Sequence, residues 1–116
     1  MRNIIVYISG KYSGDIVTNI DNARKLAIEV WEAGFTALTP HLNTIHFEND
    51  CQCVYDDFIA GDLELISRCD CLLMLPEWEQ SKGALLEHHE ANRLNKPIFY
   101  NLKSLMEYYY DRSRTS

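Results

Sequence analysis

The chain has 116 residues, enough to bury a hydrophobic core without disulfides or metals. Eleven basic against seventeen acidic residues give a net charge of −6, which argues against a surface that coats nucleic acid. No apolar run approaches the roughly 20 residues of a membrane span, and the N-terminus lacks a signal-peptide pattern. We therefore expect residues 1–116 to form one cytoplasmic domain with neither nucleic-acid nor membrane partners.

The first third of the chain predicts a strand, a helix and a second strand. Asn3 to Ile8 is β-branched and almost continuously apolar, which is typical of a strand covered on both faces. Apolar residues then recur at helical spacing from Ala23 to Trp31, and Gly34 is expected to end that helix. Phe35 to Leu38 predicts a short strand that Pro40 stops.

The segment from Ser9 to Gly14 is a loop of small residues at the carboxyl end of the first strand, the edge where ligands bind in open α/β sheets. Gly10 and Gly14 allow close backbone approaches, Lys11 supplies charge, and Ser13 can donate to phosphate. The alternative is a tight turn with a solvated lysine. The order of residues matches neither the Walker phosphate loop nor the dinucleotide motif G-x-G-x-x-G.

A long polar segment from His41 to about Cys53 follows the second strand. Loops of this length in a small domain are typically lids or binding loops. His41 comes just past a strand end, so it either contacts substrate or is hydrogen-bonded within the loop.

The four cysteines form two C-x-C pairs, Cys51 with Cys53 and Cys69 with Cys71. One interpretation is a zinc site completed by His41 or His46. The other is reduced cysteines in a cytosolic protein, with Cys71 packed in a strand. Because zinc sites usually space cysteines as C-x₂₋₄-C, the second interpretation is favoured and no metal is expected.

Val54 to Ser67 predicts a second helix that carries three aspartates. Asp56 is interpreted as solvated surface. Asp62 is the candidate site residue, because its neighbours in the sequence are small and apolar. Asp57 is the alternative candidate.

The next elements predict an anion site with a carboxylate beside it. Cys71 to Leu75 is an apolar run typical of a buried strand, and a helical pattern begins after Ser81 and continues to about Asn95. A helix that opens on Ser81 and Gly83 after a strand presents unpaired amides to an oxyanion. Glu87, between one and two turns further on, can point toward the same crevice.

Lys96 to Tyr100 predicts a last strand and Leu102 to Tyr110 a last helix, with a frayed tail from Arg112 to Ser116. Alternation of strands and helices predicts an α/β domain. We expect a Rossmann-like (flavodoxin-like) parallel sheet of four to five strands with helices on both faces.

Four motifs, in this order and spacing, resemble the nucleoside 2-deoxyribosyltransferase superfamily. They are Tyr7 to Gly14, Gly61 to Asp70, Ser81-x-Gly83-x-x-x-Glu87, and Asn95 to Ile98. The chain is most similar to the 2′-deoxynucleoside 5′-monophosphate N-hydrolase branch and to related small uncharacterised domains of bacterial viruses.

Three departures from the superfamily pattern bear on the substrate. Ser81 stands where transferases usually carry an aspartate, whereas the monophosphate hydrolases carry a serine there that binds the 5′-phosphate. Lys11 stands where the superfamily carries an arginine in the first loop. A lysine ammonium binds phosphate less well than an arginine guanidinium, which can form two parallel hydrogen bonds. Asn95 replaces a common glycine, which a helix C-cap tolerates.

The resemblance implies a role for each candidate site residue. Glu87 would be the catalytic nucleophile, and Asp62 would orient the substrate and supply a proton, with Asp57 as its alternative. The remaining substrate-binding candidates are Tyr7, Gly10, Lys11, Ser13, Gly14, His41, Ser81, Gly83 and Asn101. Asn101 or residues of the C-terminal helix would reach across to a neighbouring subunit, because related enzymes complete their sites in homodimers or larger assemblies.

The expected function is an N-glycosidase that hydrolyses the base–sugar bond of a (deoxy)nucleoside 5′-monophosphate without a cofactor. The alternatives are a nucleoside 2-deoxyribosyltransferase and a non-catalytic nucleotide-binding module.

Overall fold

Four short parallel strands form the centre of the fold. The computed structural model describes residues 1–115, with side chains through Arg112. The strands are β1 (Ile5–Ser9), β2 (Thr36–Leu38), β3 (Cys71–Met74) and β4 (Ile98–Phe99), in the sheet order β2-β1-β3-β4. Every neighbouring pair is parallel, so the predicted parallel sheet is confirmed, with four strands.

The helices are α1 (Ile16–Glu32), α2 (Pro40–Asn43), α3 (Tyr55–Ser67), α4 (Lys82–Arg93) and α5 (Leu102–Thr115). Two 3₁₀ turns, Phe47–Asn49 and Trp78–Gln80, lie in the connections before α3 and α4. None of the helices within residues 1–115 has the length and apolar character needed to cross a membrane.

The sheet separates two hydrophobic clusters, because successive strand residues point to opposite faces. Val6 and Ile8 of β1 pack with residues of α1 and α5. Tyr7 between them packs on the other face, with residues of α3 and α4. The expectation of helices on both faces is therefore confirmed, and Tyr7 and Ser9 lie on the same side of the sheet.

Local chemistry accounts for where α1 ends and α4 begins. Ala33 is the C-cap of α1, and Gly34 follows it with a φ of 98°, a left-handed conformation that glycine adopts without steric cost. The side chain of Ser81 accepts a hydrogen bond from the Ala84 amide at 3.1 Å, so Ser81 is the N-cap of α4.

Three element predictions need correction. Pro40 ends β2 but also starts α2, because proline is well tolerated at the first position of a helix. The strand predicted over Lys96 to Tyr100 has only two paired residues. The tail predicted to fray from Arg112 is helical to Thr115, and Ser116 lies outside the described residues.

Candidate active site

A cavity of about 800 Å³ opens where the carboxyl ends of β1, β2 and β3 meet. Its wall is formed by the loop after β1, the start of α2, one side of α3 and the first turns of α4. Because carboxyl ends of parallel strands share one edge of the sheet, segments distant in sequence converge there.

Glu87 lies in the wall of this cavity with its carboxylate fixed at both oxygens. The Tyr7 hydroxyl donates to Oε2 and the Ser9 hydroxyl donates to Oε1, each at 2.6 Å. Tyr7 and Ser9 are fully buried and Glu87 is 7% exposed. Helical spacing explains the placement, since Ala84, Glu87 and Ala91 are the buried residues of α4.

The electrostatics of the site favour protons on its carboxyl groups. Burial raises the pKa of Glu87 to about 7, although the hydrogen bonds from Ser9 and Tyr7 oppose the shift, and the charge of Asp62 raises it further. Burial also raises the pKa of Asp62 to about 6. The pKa of the Tyr7 hydroxyl is raised by burial and by the Glu87 charge, so Tyr7 remains a hydrogen-bond donor. Two neighbouring carboxyl groups therefore titrate near neutral pH.

The first turn of α4 forms a polar part of the wall. Ser81, Lys82 and Gly83 all line the cavity. Among the described residues, the backbone amides of Lys82 and Gly83 have no acceptor, as expected at the first two positions of a helix. A Cβ on Gly83 would lie 3.2 Å from the Tyr55 hydroxyl and 3.3 Å from Ile59 Cδ1, so a larger residue would crowd this turn.

The loop after β1 lies beside the α4 turn and lines the cavity through Gly10, Lys11 and Ser13. A Cβ on Gly10 would lie 2.6 Å from Cβ and Cδ1 of Leu75, so only glycine fits this close approach. The Lys11 ammonium donates to the Gln80 side chain at 3.2 Å and lies 3.8 Å from Glu77. Lys11 therefore joins the loop to the turn that precedes α4.

His41 holds the same loop from the other side. Its Nε2 lies 2.8 Å from the Lys11 carbonyl oxygen, and because a carbonyl only accepts, Nε2 carries the proton. The other ring nitrogen, Nδ1, is buried with no hydrogen-bond partner among the described residues. Burial lowers the pKa of His41, which keeps the ring neutral. The hydrogen bond of His41 is therefore to the loop after β1 and not within its own segment. His41 also lines the cavity, so contact with substrate stays a prediction.

The rim of the cavity is formed by the segment between α2 and α3. The Tyr12 hydroxyl lies 3.1 and 3.2 Å from the two Glu48 carboxylate oxygens and accepts a hydrogen bond from the His46 amide at 3.1 Å. Val54 and Tyr55 also line the cavity, although their side chains are 62% and 51% exposed. The predicted lid segment thus contacts the loop after β1 at two places, through His41 at its start and through Glu48 and the His46 amide, which bond to Tyr12.

Four of the predicted site residues lie outside the cavity wall, and one of them, Tyr7, is linked to it through its hydrogen bond to Glu87. Gly14 has a φ of 94° in the turn before α1. The Asp57 carboxylate accepts from the Val54 amide at 2.8 Å and so caps α3. The Asn101 side chain accepts from the Ser104 amide at 2.9 Å at the start of α5. Asp57 and Asn101 therefore have structural partners within the chain.

Sequence reasoning missed Ser9 as a partner of Glu87, and it missed Tyr12, Glu48 and Tyr55 at the rim. Ser9 could have been found, because it is two residues after Tyr7 and strand side chains alternate. The rim residues gave no such signal, since they come from a segment without periodicity. No group of three or more His, Cys, Asp or Glu side chains in the described part of the chain is arranged to hold a metal ion.

Comparison with known proteins identifies the fold independently. A family model described as a domain of unknown function (DUF4406) matches residues 4–100. No curated protein matches the sequence significantly. Two solved structures share the fold: a 2-deoxyribosyltransferase from Bacillus psychrosaccharolyticus and a 2-desoxiribosyltransferase from Leishmania mexicana.

The Bacillus enzyme superposes with a TM-score of 0.59 at 16% identity, over 81% of this chain and 69% of its own. The Leishmania enzyme gives a TM-score of 0.61 at 14% identity, over 82% of this chain and 61% of its own. The chain therefore spans less than two thirds of the length of the Leishmania protein. At these identities the likeness establishes the fold.

Proposed function

Because this chain belongs to the DUF4406 family, whose description assigns no function, we propose a function from the cavity itself: cleavage of the base–sugar bond of a (deoxy)nucleoside 5′-monophosphate, with Glu87 as nucleophile. The shared fold with two deoxyribosyltransferases supports chemistry at that bond. The N-hydrolase branch is the finer assignment within this proposal.

One observation carries the proposal: a buried carboxylate in a cavity wall, oriented by two hydroxyl donors. A surface glutamate of a helix would be solvated, whereas Glu87 is 7% exposed and both of its oxygens accept hydrogen bonds at 2.6 Å. Burying an ionisable group costs free energy. A buried glutamate with a fixed orientation is therefore a candidate for a functional role. An oriented carboxylate facing a cavity is the arrangement that nucleophilic attack on an anomeric carbon requires.

In the first step, the ionised Glu87 carboxylate attacks the anomeric carbon from the face opposite the base. A glycosyl ester bond forms while the C–N bond breaks, and its electron pair leaves with the base. The reactive form is the one in which the two neighbouring carboxyl groups hold a single proton and that proton is on Asp62, which donates it to the departing base. Burial raises the pKa of both groups, to about 6 for Asp62 and about 7 for Glu87, so this form is one of two singly protonated states near neutral pH.

In the second step, water attacks the anomeric carbon of the ester and the Glu87 carboxylate leaves. Asp62, now ionised, accepts the proton from that water. The sugar phosphate is released and both carboxyl groups return to their starting states. Tyr7 and Ser9 keep the nucleophile oriented throughout, because their hydroxyls donate to the two Glu87 oxygens.

The phosphate is assigned to the polar turn at the start of α4. The amides of Lys82 and Gly83, which have no acceptor among the described residues, and the Ser81 hydroxyl would bind the phosphate, and the helix dipole adds favourable potential. Gly10, Lys11 and Ser13 form the other side of this subsite. Binding the phosphate would fix the anomeric carbon over Glu87, so that binding energy contributes to positioning.

Transfer to a second base is the alternative to hydrolysis, and the fold shared with two deoxyribosyltransferases favours it as the second candidate. Both reactions share the first step and the Glu87 ester. They differ only in whether water or an acceptor base takes the sugar.

The test is incubation of the purified chain with a panel of nucleosides and nucleoside monophosphates, followed by chromatography for free base. Each reaction is run with and without a second base. Hydrolysis produces free base in both cases, whereas transfer produces a new nucleoside only when the acceptor is present.

Glu87→Gln is the decisive variant, and Glu90→Gln is its matched control on the same helix. Removing the nucleophile should lower base release by roughly 10³-fold or more while nucleotide binding is retained. Glu90 pairs with Arg93 on the surface, so its loss should leave the rate unchanged. Nucleotide binding without base release in the unaltered chain would instead identify a non-catalytic binding module.

We also propose a homo-oligomer in the cytoplasm with sites shared between subunits. Leu85 and Leu86 of α4 are 46% and 40% exposed, and Tyr100 after β4 is 55% exposed, so large apolar side chains are available for a contact between subunits. Light scattering on the unaltered chain and on Leu86→Glu tests the proposal. A monomeric mass for the unaltered chain would contradict it.

A further inference from the structure

The two C-x-C pairs occupy opposite environments. Cys69 and Cys71 are buried beside and within β3, where burial raises the pKa of their thiols to about 11 and about 12. Cys51 and Cys53 are exposed in the segment before α3. Because the thiolate is the reactive form, the buried pair is chemically inert and the exposed pair is accessible to reagents in solution.

The exposed thiols interact with each other. A hydrogen bond with Cys51 raises the pKa of the Cys53 thiol, with the negative charge of Asp57 as a smaller cause. The two thiols are therefore near neighbours, with only Gln52 between them in the chain.

We propose that Cys51 and Cys53 are a modification site, where a low-molecular-weight disulfide oxidises the pair to a reversible intramolecular disulfide on the cavity rim. The thiolate of one cysteine attacks one sulfur of the oxidant, whose S–S bond breaks and releases one thiol. The other cysteine then loses its proton to water and its sulfur attacks the sulfur of the first, which releases the second thiol. Two cysteine thiols are oxidised and one oxidant disulfide is reduced to two thiols.

The location connects this modification to the cavity. Cys53 lines the cavity and directly precedes Val54, the N-cap residue of α3, the helix that carries Asp62. A disulfide across one intervening residue closes a small ring, which makes it an easily reduced bond. The pair is therefore oxidised or reduced according to the ratio of disulfide to thiol in solution. This change does not depend on the reaction proposed for the cavity.

The experiment uses the reduced full chain and glutathione disulfide, with intact mass and peptide mapping as readouts. The expected product has lost two hydrogen atoms, contains a Cys51–Cys53 linkage, and returns to the starting mass with dithiothreitol. Cys69 and Cys71 serve as internal controls, because alkylation should reach them only after unfolding.

The variants Cys51→Ser and Cys53→Ser separate the two thiols. Each should stop at a mixed disulfide and gain one glutathione moiety, because no second thiol is present to resolve it. Both side chains are exposed, so folding should be unaffected, and circular dichroism checks this. The proposal is overturned if the unaltered chain does not react, keeps glutathione on both cysteines, or forms links only between copies.

Discussion

The interior end of the cavity and its rim are built in different ways. At the interior end, Tyr7, Ser9 and Glu87 belong to regular elements, are buried, and form short hydrogen bonds to one another. At the rim, the segment between α2 and α3 is mostly exposed and contacts the loop after β1 mainly through Tyr12. Under the proposed function, the strands and α4 would determine the chemistry, whereas the rim would control access and substrate choice.

Tyr7→Phe is the strongest test of this division. It removes one of the two donors that orient Glu87, so we expect kcat to fall by roughly 10²-fold, about 2.7 kcal/mol, with little change in KM. The same hydrogen bond lowers the pKa of Glu87, so its loss should move the rising limb of the pH–rate profile to higher pH. A change confined to KM would place Tyr7 in binding instead.

Gly10→Ala tests whether the interior end depends on close packing. The added Cβ would meet Leu75 at 2.6 Å, so we expect a loss of about 1–3 kcal/mol in the free energy of unfolding, measured by urea denaturation. Gly61→Ala is the matched control in α3, where nothing lies within 4 Å of the added Cβ. It should stabilise the chain by roughly 0.5–1 kcal/mol through helix propensity. If Gly10→Ala and Gly61→Ala changed the free energy of unfolding equally, the close packing of the loop after β1 against Leu75 would be contradicted.

The dependence of stability on pH sharpens the description of the interior carboxyl groups. Glu87 and Asp62 have folded pKa values of about 7 and about 6, above their ordinary values of 4.5 and 3.8. The folded chain therefore binds protons more readily than the unfolded chain across this window. Their contribution to stability is full below about pH 4 and is lost as pH rises toward 7.

Unfolding measured at several pH values in Glu87→Gln checks the sign. Glutamine does not titrate, so the fall in stability between pH 4.5 and 7 should be smaller in the variant than in the unaltered chain. An unchanged slope would mean that Glu87 does not carry the raised pKa.

Tyr12→Phe is the rim counterpart of Tyr7→Phe and should have the smallest effect. It removes the exposed hydrogen bonds with Glu48 and the His46 amide, which leaves the rim segment less well attached. We expect KM to rise a few-fold, less than about 1 kcal/mol, with kcat unchanged. A loss in kcat comparable to that of Tyr7→Phe would break the distinction between the two regions.

Some parts of the site could be derived from residue patterns and others could not. The start of α4 followed from Ser81 and Gly83 after an apolar strand, and Ser81 is the N-cap, while anion binding at this turn stays a prediction. Asp57 is an alternative to Asp62 in the sequence, because both aspartates lie on one predicted helix. The structure separates them: Asp57 caps α3, while Asp62 lines the cavity. A cap is decided by backbone conformation at the helix start, which side-chain type alone does not specify.

The order of elements, the parallel sheet and the edge where the loops meet were determined by the sequence alone, because hydrophobic periodicity and the rules of βαβ connection are local. Only the tertiary structure decided that Ser9 is a partner of Glu87, that the His41 ring is tied to the Lys11 carbonyl, and that Tyr12 holds the rim. These contacts join segments 30 to 78 residues apart. Their geometry depends on the packing of the whole sheet, which no local pattern encodes.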